Sequence, residues 1–175
     1  MGNRGTKLNV LFLGSGNAAR SIMAEAILNR EGGNRYQAFS AGIQAYAELD
    51  SRAVDLLKRL QFDITDARPK NWNELAGDGA PNFEFVFTVC DEATTLPRSS
   101  WQGSPVFAHW GVPSPALAQG NEPQIRLAYA DTFRMLANRI GIFVNLPLRS
   151  FDRLTMQRNL DSIGNADAKQ AIVAA

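Results

Sequence analysis

The stretch from Lys7 to Glu31 constrains the fold more than any other part of this chain. Leu8-Asn9-Val10-Leu11-Phe12-Leu13 is an almost unbroken apolar run that stops at Gly14-Ser15-Gly16. A strand with one face in water alternates apolar and polar residues, whereas an unalternating run suits a strand buried on both faces of a parallel sheet. After the loop, Ser21 to Arg30 carries Ile22, Met23, Ala26 and Ile27, a pattern compatible with one buried helical face, and Glu31-Gly32-Gly33 ends the segment. The expected unit is a central strand feeding a glycine-containing turn and then a helix.

The rest of the chain repeats this alternation. Tyr36 to Ala41 reads as a short second strand ending at Gly42. Asp50 can cap a second helix whose Ala53, Leu56, Leu57 and Leu60 fall at i, i+3, i+4 and i+7. Residues 69–81 read as a long loop. Phe83 to Cys90 is rich in aromatic and β-branched residues and gives the third strand, Pro105 to Ala108 the fourth. Ile125, Tyr129, Phe133, Leu136 and Ile140 mark a long amphipathic helix from Glu122 to about Phe143. Ser150 to Ile163 gives a last, less regular helix. Strands alternating with helices predict an α/β fold, a parallel sheet covered on both faces, with any site at the carboxyl ends of the strands. That edge collects the Gly14–Arg20 loop, Cys90-Asp91 and the His109–Pro115 loop, which are expected to form one cleft.

Composition narrows the function. The 175 residues are 45% hydrophobic, enough for a single domain, with a core over 7–163 and a loose tail over 164–175. Eighteen basic against 17 acidic residues leave a net charge of +1, so no global field draws nucleic acid or a membrane surface. No apolar run approaches the roughly 18 residues of a membrane span, and no signal pattern opens the chain, so a cytoplasmic protein is expected. One cysteine, Cys90, and one histidine, His109, make a Cys/His metal site implausible, and no metal or cofactor is expected.

The opening loop is suited to anions. A strand that turns through glycine into a helix aims several backbone N–H groups and the positive end of the helix dipole at one point. Gly16 permits unusual backbone angles, Asn17 tolerates the left-handed region, and Arg20 can offer a planar two-pronged donor. The alternative is a tight turn beside a solvated arginine. Gly14 to Ala19 also satisfies the G-x-G-x-x-G/A dinucleotide fingerprint, but the carboxylate required about 20 residues later to hold a ribose is missing from Phe39-Ser40-Ala41-Gly42.

More of the chain points elsewhere. The sequence from Val10 through Gly16-Asn17 and Arg20-Ser21-Ile22-Met23-Ala24-Glu25-Ala26 resembles the low-molecular-weight tyrosine phosphatases, and most closely their thioredoxin-coupled arsenate reductase branch. Phe39-Ser40-Ala41-Gly42, Val86-Phe87-Thr88-Val89-Cys90-Asp91, Ala108-His109-Trp110-Gly111-Val112-Pro113 and Leu146-Pro147-Leu148 continue the resemblance in family order. It implies a three-layer α/β/α sandwich with a four-stranded parallel sheet. It also implies an oxyanion cradle over Ser15, Gly16, Asn17, Ala18, Ala19, Arg20 and Ser21.

The resemblance also implies a catalytic cysteine six residues before Arg20, and that position is Gly14. The family's proton-donating aspartate before a proline falls at Ser114, whose hydroxyl is a poor general acid. Of the two further redox cysteines of the reductase branch, the first matches Cys90 and the second falls at Arg98. The expectation is a catalytically silent relative whose ligand is a small oxyanion, phosphate, sulfate or arsenate, and which can also serve a protein partner. The rival reading is an active reductase or phosphatase using Cys90, which as a residue following a buried strand reads rather as a small core residue. His109 reads as a hydrogen-bonded structural residue rather than a base, Trp101 and Trp110 as packing residues, and Asp91 as a solvated carboxylate.

Overall fold

A computed structural model describes residues 5–166. β1 (Leu8–Gly14) leads into α1 (Arg20–Glu31), and β2 (Tyr36–Gly42) into α2 (Ser51–Arg59). β3 (Phe85–Thr88) and β4 (Val106–His109) follow, then α3 (Glu122–Val144) and α4 (Arg153–Gly164). All strand pairs are parallel, in the order β2-β1-β3-β4. The apolar opening strand is therefore interior, and Leu11 and Phe12 are fully buried on its two faces. The register brings the carboxyl ends of the strands together, with Gly14 beside Gly42, Leu13 beside Thr88, and Thr88 beside His109.

The period of two along the strands divides the core. Val10, Phe12, Phe85 and Phe87 face a cluster to which all four helices contribute, among them Ile27, Leu57, Leu136 and Leu160. Trp110 stacks on Phe87 at 3.8 Å between ring centroids, and Phe143 meets both rings edge-on. Leu11, Leu13 and Val86 face the opposite side, which is covered by Ala93, Leu96, Trp72 and Trp101. The expected three-layer sandwich is present, but its second outer layer is built on short 3₁₀ turns at Trp72–Leu75, Asp91–Thr95 and Arg98–Ser100 rather than on α-helices.

Several boundaries differ from the sequence reading. The third strand is shorter than 83–90 because the Phe83 N–H turns away to the Gln102 carbonyl and Cys90 opens a 3₁₀ turn. Leu60 does not belong to the buried face of α2. It follows the last helical residue and is 41% exposed, and the left-handed Gln61 (φ 60°) turns the chain away. The 69–81 segment contains a 3₁₀ turn and a bridge from Asn71 to Gly42. α4 starts after Asp152, whose carboxylate accepts the Thr155 N–H, and Ser150 belongs to a preceding 3₁₀ turn. Gly164 is not part of a loose tail. It ends α4 so close to the His109 carbonyl that a Cβ would lie 2.2 Å from that oxygen. The remainder of the expected tail, 167–175, lies outside the described residues.

Candidate functional site

The loop between β1 and α1 has a fixed polarity. The carbonyls of Gly14, Ser15, Gly16 and Ala18 point outward and accept the N–H groups of Ile43, Gln44, Tyr46 and Asp50 at 2.9–3.1 Å. With the carbonyls held on that side, the N–H groups of Ser15, Gly16, Asn17, Ala18 and Ala19 find no acceptor among the described residues. The first turn of α1 has the same character. Ala19 provides no side-chain cap and no acidic residue occupies that turn, whereas Asp50, Asn121 and Asp152 cap α2, α3 and α4. An uncapped helix start beside a row of free amides is a concentration of positive potential.

Asn17 fixes the shape of the loop. Its backbone is left-handed (φ 50°), its side chain is buried, and both ends of its amide are used. Nδ2 donates to Ser21 Oγ at 2.8 Å, and Oδ1 accepts the Lys70 N–H at 2.8 Å. Left unpaired in this position, the amide would cost about 1–3 kcal/mol.

The glycines serve proximity rather than unusual dihedrals. Gly16 does not adopt a positive φ, which corrects the role assigned to it from sequence. A Cβ at Gly16 would lie 2.7 Å from the Tyr46 ring, and one at Gly42 would lie 2.6 Å from the Ser15 carbonyl oxygen. At Gly14 a Cβ would sit 3.0 Å from Ser21 Oγ, so the serine hydroxyl lies directly beside the place of the missing side chain.

Arg20 is the first residue of α1. Its Nη1 donates to the Val112 carbonyl at 3.1 Å and its Nη2 to Ser15 Oγ at 3.3 Å. A guanidinium carries five N–H donors, so the others remain free for a ligand. The loop that receives Arg20 is itself fixed, because buried Arg139 donates to the carbonyls of Trp110 and Gly111 at 2.8 and 3.0 Å.

The resulting cavity is small, about 50 Å³, and is lined by residues 14–21 together with Tyr46, Asp50, Ser114 and Ala116. The structure thus gathers Gly14, Ser15, Gly16, Asn17, Ala18, Ala19, Arg20, Ser21 and Ser114, as expected from sequence. The expected single cleft does not form. Cys90 and Asp91 do not line the cavity, and His109 and Arg98 face a separate cleft on the other side of the sheet. Arg98 lies over the Phe107 ring at 4.8 Å. Cys90 is buried, and burial pushes its thiol above the ordinary range, outweighing the Ala93 N–H and the charge of Arg20, which pull it down. His109 is held by hydrogen bonds at both ring nitrogens, Nδ1 with Thr88 Oγ1 at 2.7 Å and Nε2 with Asp91 Oδ1 at 2.9 Å. Asp91 is exposed yet paired, not merely solvated. Trp101 and Trp110 are buried, and Trp110 Nε1 donates to the Leu160 carbonyl.

Sequence reasoning missed the support behind the loop. Lys70, in the segment whose role could not be read, holds Asn17 through its backbone and accepts the Gly42 N–H. Its ammonium lies near Glu25, which accepts the Ser40 hydroxyl. Burial raises the Glu25 carboxyl above the usual carboxylate range, against the Ser40 hydrogen bond and the charge of Lys70. Burial likewise lowers the Lys70 ammonium, against the pull of Glu25. Tyr46, 63% exposed at the mouth, was also missed, since no pattern marks a lone aromatic in a loop.

Comparison with known proteins agrees with this geometry. The family profile for low molecular weight phosphotyrosine protein phosphatases matches residues 9–145. The chain is 32% identical over 139 residues to the arsenate reductase of Bacillus subtilis, a match covering 77% of this chain and 93% of that one. The crystal structure of arsenate reductase from Archaeoglobus fulgidus superposes with a TM-score of 0.61 at 26% identity, covering 78% of this chain and 99% of that one. Low molecular weight protein tyrosine phosphatase from T. tengcongensis gives 0.63 at 26% identity, covering 80% and 100%. With strand order, loop and sequence all in agreement, the chain belongs to the low molecular weight phosphotyrosine protein phosphatase family, within which arsenate reductases are among its relatives.

Proposed function

We propose that this protein is a catalytically silent member of its family that binds a tetrahedral oxyanion, phosphate-like or arsenate-like, in the Gly14–Ser21 loop. One observation carries the reading: the loop turns its carbonyls outward and leaves five successive N–H groups and the Arg20 guanidinium around a cavity that has no nucleophile at Gly14. Anion binding requires donors, and these donors are backbone groups that a side-chain substitution leaves in place. Covalent displacement from that position requires a nucleophilic side chain, and glycine has none. Ser114 lines the same cavity but cannot supply an acidic proton near neutrality.

A rearranged enzyme built on Cys90 is disfavoured because that thiol is buried, lies outside the cavity, and is pushed away from its reactive form. A dinucleotide is disfavoured by size, since organic ligands occupy roughly 300–1,000 Å³ and this cavity holds about 50 Å³. Among the described residues no helix is long and apolar enough to cross a membrane, and we place the protein in the cytoplasm, where phosphate is at hand.

The test is a melting curve with and without sulfate, phosphate or arsenate, run beside turnover assays with p-nitrophenyl phosphate and with arsenate plus thioredoxin. A single site at one hundred times its dissociation constant adds about 2.7 kcal/mol, which is about 5–10 °C for a chain of this size. The expected result is such a shift, lost in Arg20→Ala, with no turnover. No shift with any of the three anions, or turnover that Cys90→Ser removes, would overturn the reading.

A further inference from the structure

We propose that Asp50 sorts the anions that enter the Gly14–Ser21 cradle by protonation, favouring an oxyanion that carries a hydroxyl group over one of the same charge that carries none. The inference rests on the oxyanion reading and adds to it a residue that sets specificity. Among the described residues lining the cavity, Asp50 is the one acid and Arg20 the one base. Free amides and a guanidinium suit any anion, whereas a carboxylate in the same wall accepts a proton and repels a lone pair. Asp50 is held against the loop by its own backbone, whose N–H donates to the Ala18 carbonyl at 3.0 Å. The cavity, about 50 Å³, is so small that an ion filling it touches each part of the wall.

The carboxylate is partly occupied. Oδ1 accepts the N–H groups of Arg52 and Ala53 at 2.9 and 3.1 Å, and Oδ2 accepts the Tyr129 hydroxyl at 2.6 Å. A carboxylate offers about four acceptor positions, so about one is left, on Oδ2. No ion pair among the described residues neutralises Asp50, and Arg52 beside it is paired with Glu122 at 2.9 Å. Capping α2 does not account for the charge, because a neutral side-chain oxygen caps a helix equally well, as that of Asn121 does for α3. Hydrogen phosphate and sulfate isolate the effect. Both are tetrahedral dianions of nearly the same size, and they differ in one proton. The P–O–H group of the first donates to the open position on Asp50, while each oxygen of sulfate presents a lone pair there. Hydrogen arsenate behaves as hydrogen phosphate does. A hydrogen bond to a charged group corresponds to about a tenfold to hundredfold preference.

The test is calorimetric titration of the full chain with inorganic phosphate, arsenate and sulfate at equal ionic strength and a pH of about 8, where phosphate and arsenate are dianions with one proton each. The native protein should bind phosphate and arsenate at least about tenfold more tightly than sulfate. Asp50→Asn keeps an oxygen for the α2 cap and turns the acidic wall into a neutral one, so sulfate should gain and the preference should vanish. Asp50→Ser makes the same change with a smaller cap and decides the matter if the asparagine variant does not fold. A purely structural role for Asp50 would lower the affinity for all three anions together and leave their ratio unaltered. Equal affinities for phosphate and sulfate in the native protein, or a preference that persists in the folded variant, would overturn the proposal and leave the cradle standing. Failure of all three anions to bind the native protein would instead overturn the cradle reading, and the role of Asp50 with it.

Discussion

Placing a thiol at Gly14 tests the proposal that the loop is an anion cradle without a nucleophile. The new Cβ would meet Ser21 Oγ at 3.0 Å, Ser21 Cβ at 3.3 Å and Val89 Cγ2 at 3.8 Å. Only the serine contact is tight, and a shift of a few tenths of an ångström relieves it, so Gly14→Cys should cost about 1 kcal/mol. The larger effect is electrostatic. A thiolate about 4 Å from a bound anion is opposed by about 4 kcal/mol per unit charge at an effective dielectric constant of 20. Sulfate should therefore bind the native protein at least tenfold more tightly than Gly14→Cys once the thiol ionises, and equally below that pH. With p-nitrophenyl phosphate, whose leaving group needs little protonation, the variant should release about one equivalent of nitrophenolate as the thiol is phosphorylated. Slow turnover follows, because hydrolysis of the phosphocysteine needs a general base for the attacking water that Ser114 does not supply, and Gly14→Cys/Ser114→Asp should raise turnover by about 10²-fold or more. Stopped-flow absorbance reads the burst, and mass spectrometry the phosphorylated cysteine. A folded variant that still binds sulfate but shows neither burst nor adduct would refute the view that the cradle lacks only its nucleophile.

Other substitutions separate loop shape from stability. Gly42→Ala drives a methyl group into the Ser15 carbonyl and the Asn17 amide, backbone that cannot yield, and should cost about 3 kcal/mol and abolish oxyanion binding. Gly16→Ala meets only the exposed Tyr46 ring, which can swing away, so it should cost less than about 1 kcal/mol; paired melting curves that ranked the two in reverse order would contradict the packing described. Glu25 has a folded-state pKa above its unfolded value of 4.5, so its protonated form favours folding below that pH and the advantage is lost as pH rises through the folded value. Glu25→Gln should thus match the native protein near pH 4 and unfold at higher denaturant near pH 8, and an identical pH profile in the two proteins would count against it. Cys90 should react with a disulfide reagent only as the chain unfolds, while labelling of the native protein at the rate of a free thiol would show that the site is accessible.

The sequence revealed those parts of the molecule in which a local pattern coincides with a physical requirement. An unalternating apolar strand must be interior, and β1 is; Asp50 and the spaced apolar residues of α2 and α3 produced the helices they predict. The turn between β1 and α1 was legible because an apolar run that stops at glycine, followed by an asparagine that tolerates the left-handed region, marks a strand-to-helix loop, and Asn17 does adopt that conformation. Long-range contacts were not legible. Gly16 was assigned to backbone freedom, although its purpose is the approach of Tyr46, thirty residues away in sequence. Lys70 supports Asn17 through a backbone N–H, a contact any residue but proline could make, so its side chain carries no signal. The single cleft expected at the strand ends divided because the His109 side chain leaves β4 on the face opposite to α1, a matter of strand parity that a one-residue change in register reverses, while Arg98 lies in a 3₁₀ turn beside that separate cleft.

The uncapped start of α1 also bears on the order in which the protein folds. Alanine, methionine, leucine and glutamate make the body of α1 a good helix former, yet nothing in its own sequence says where the helix should begin. α2, α3 and α4 carry that instruction in their caps and can start before the sheet assembles. The first turn of α1 must wait for β2 and the 43–50 segment to pull the preceding carbonyls outward. Cut out as a peptide, residues 15–31 should fray from the amino end. In the whole chain an oxyanion would complete the helix as a cap borrowed from solution, slowing amide exchange at Ser15 to Arg20 before it altered any other part of the protein.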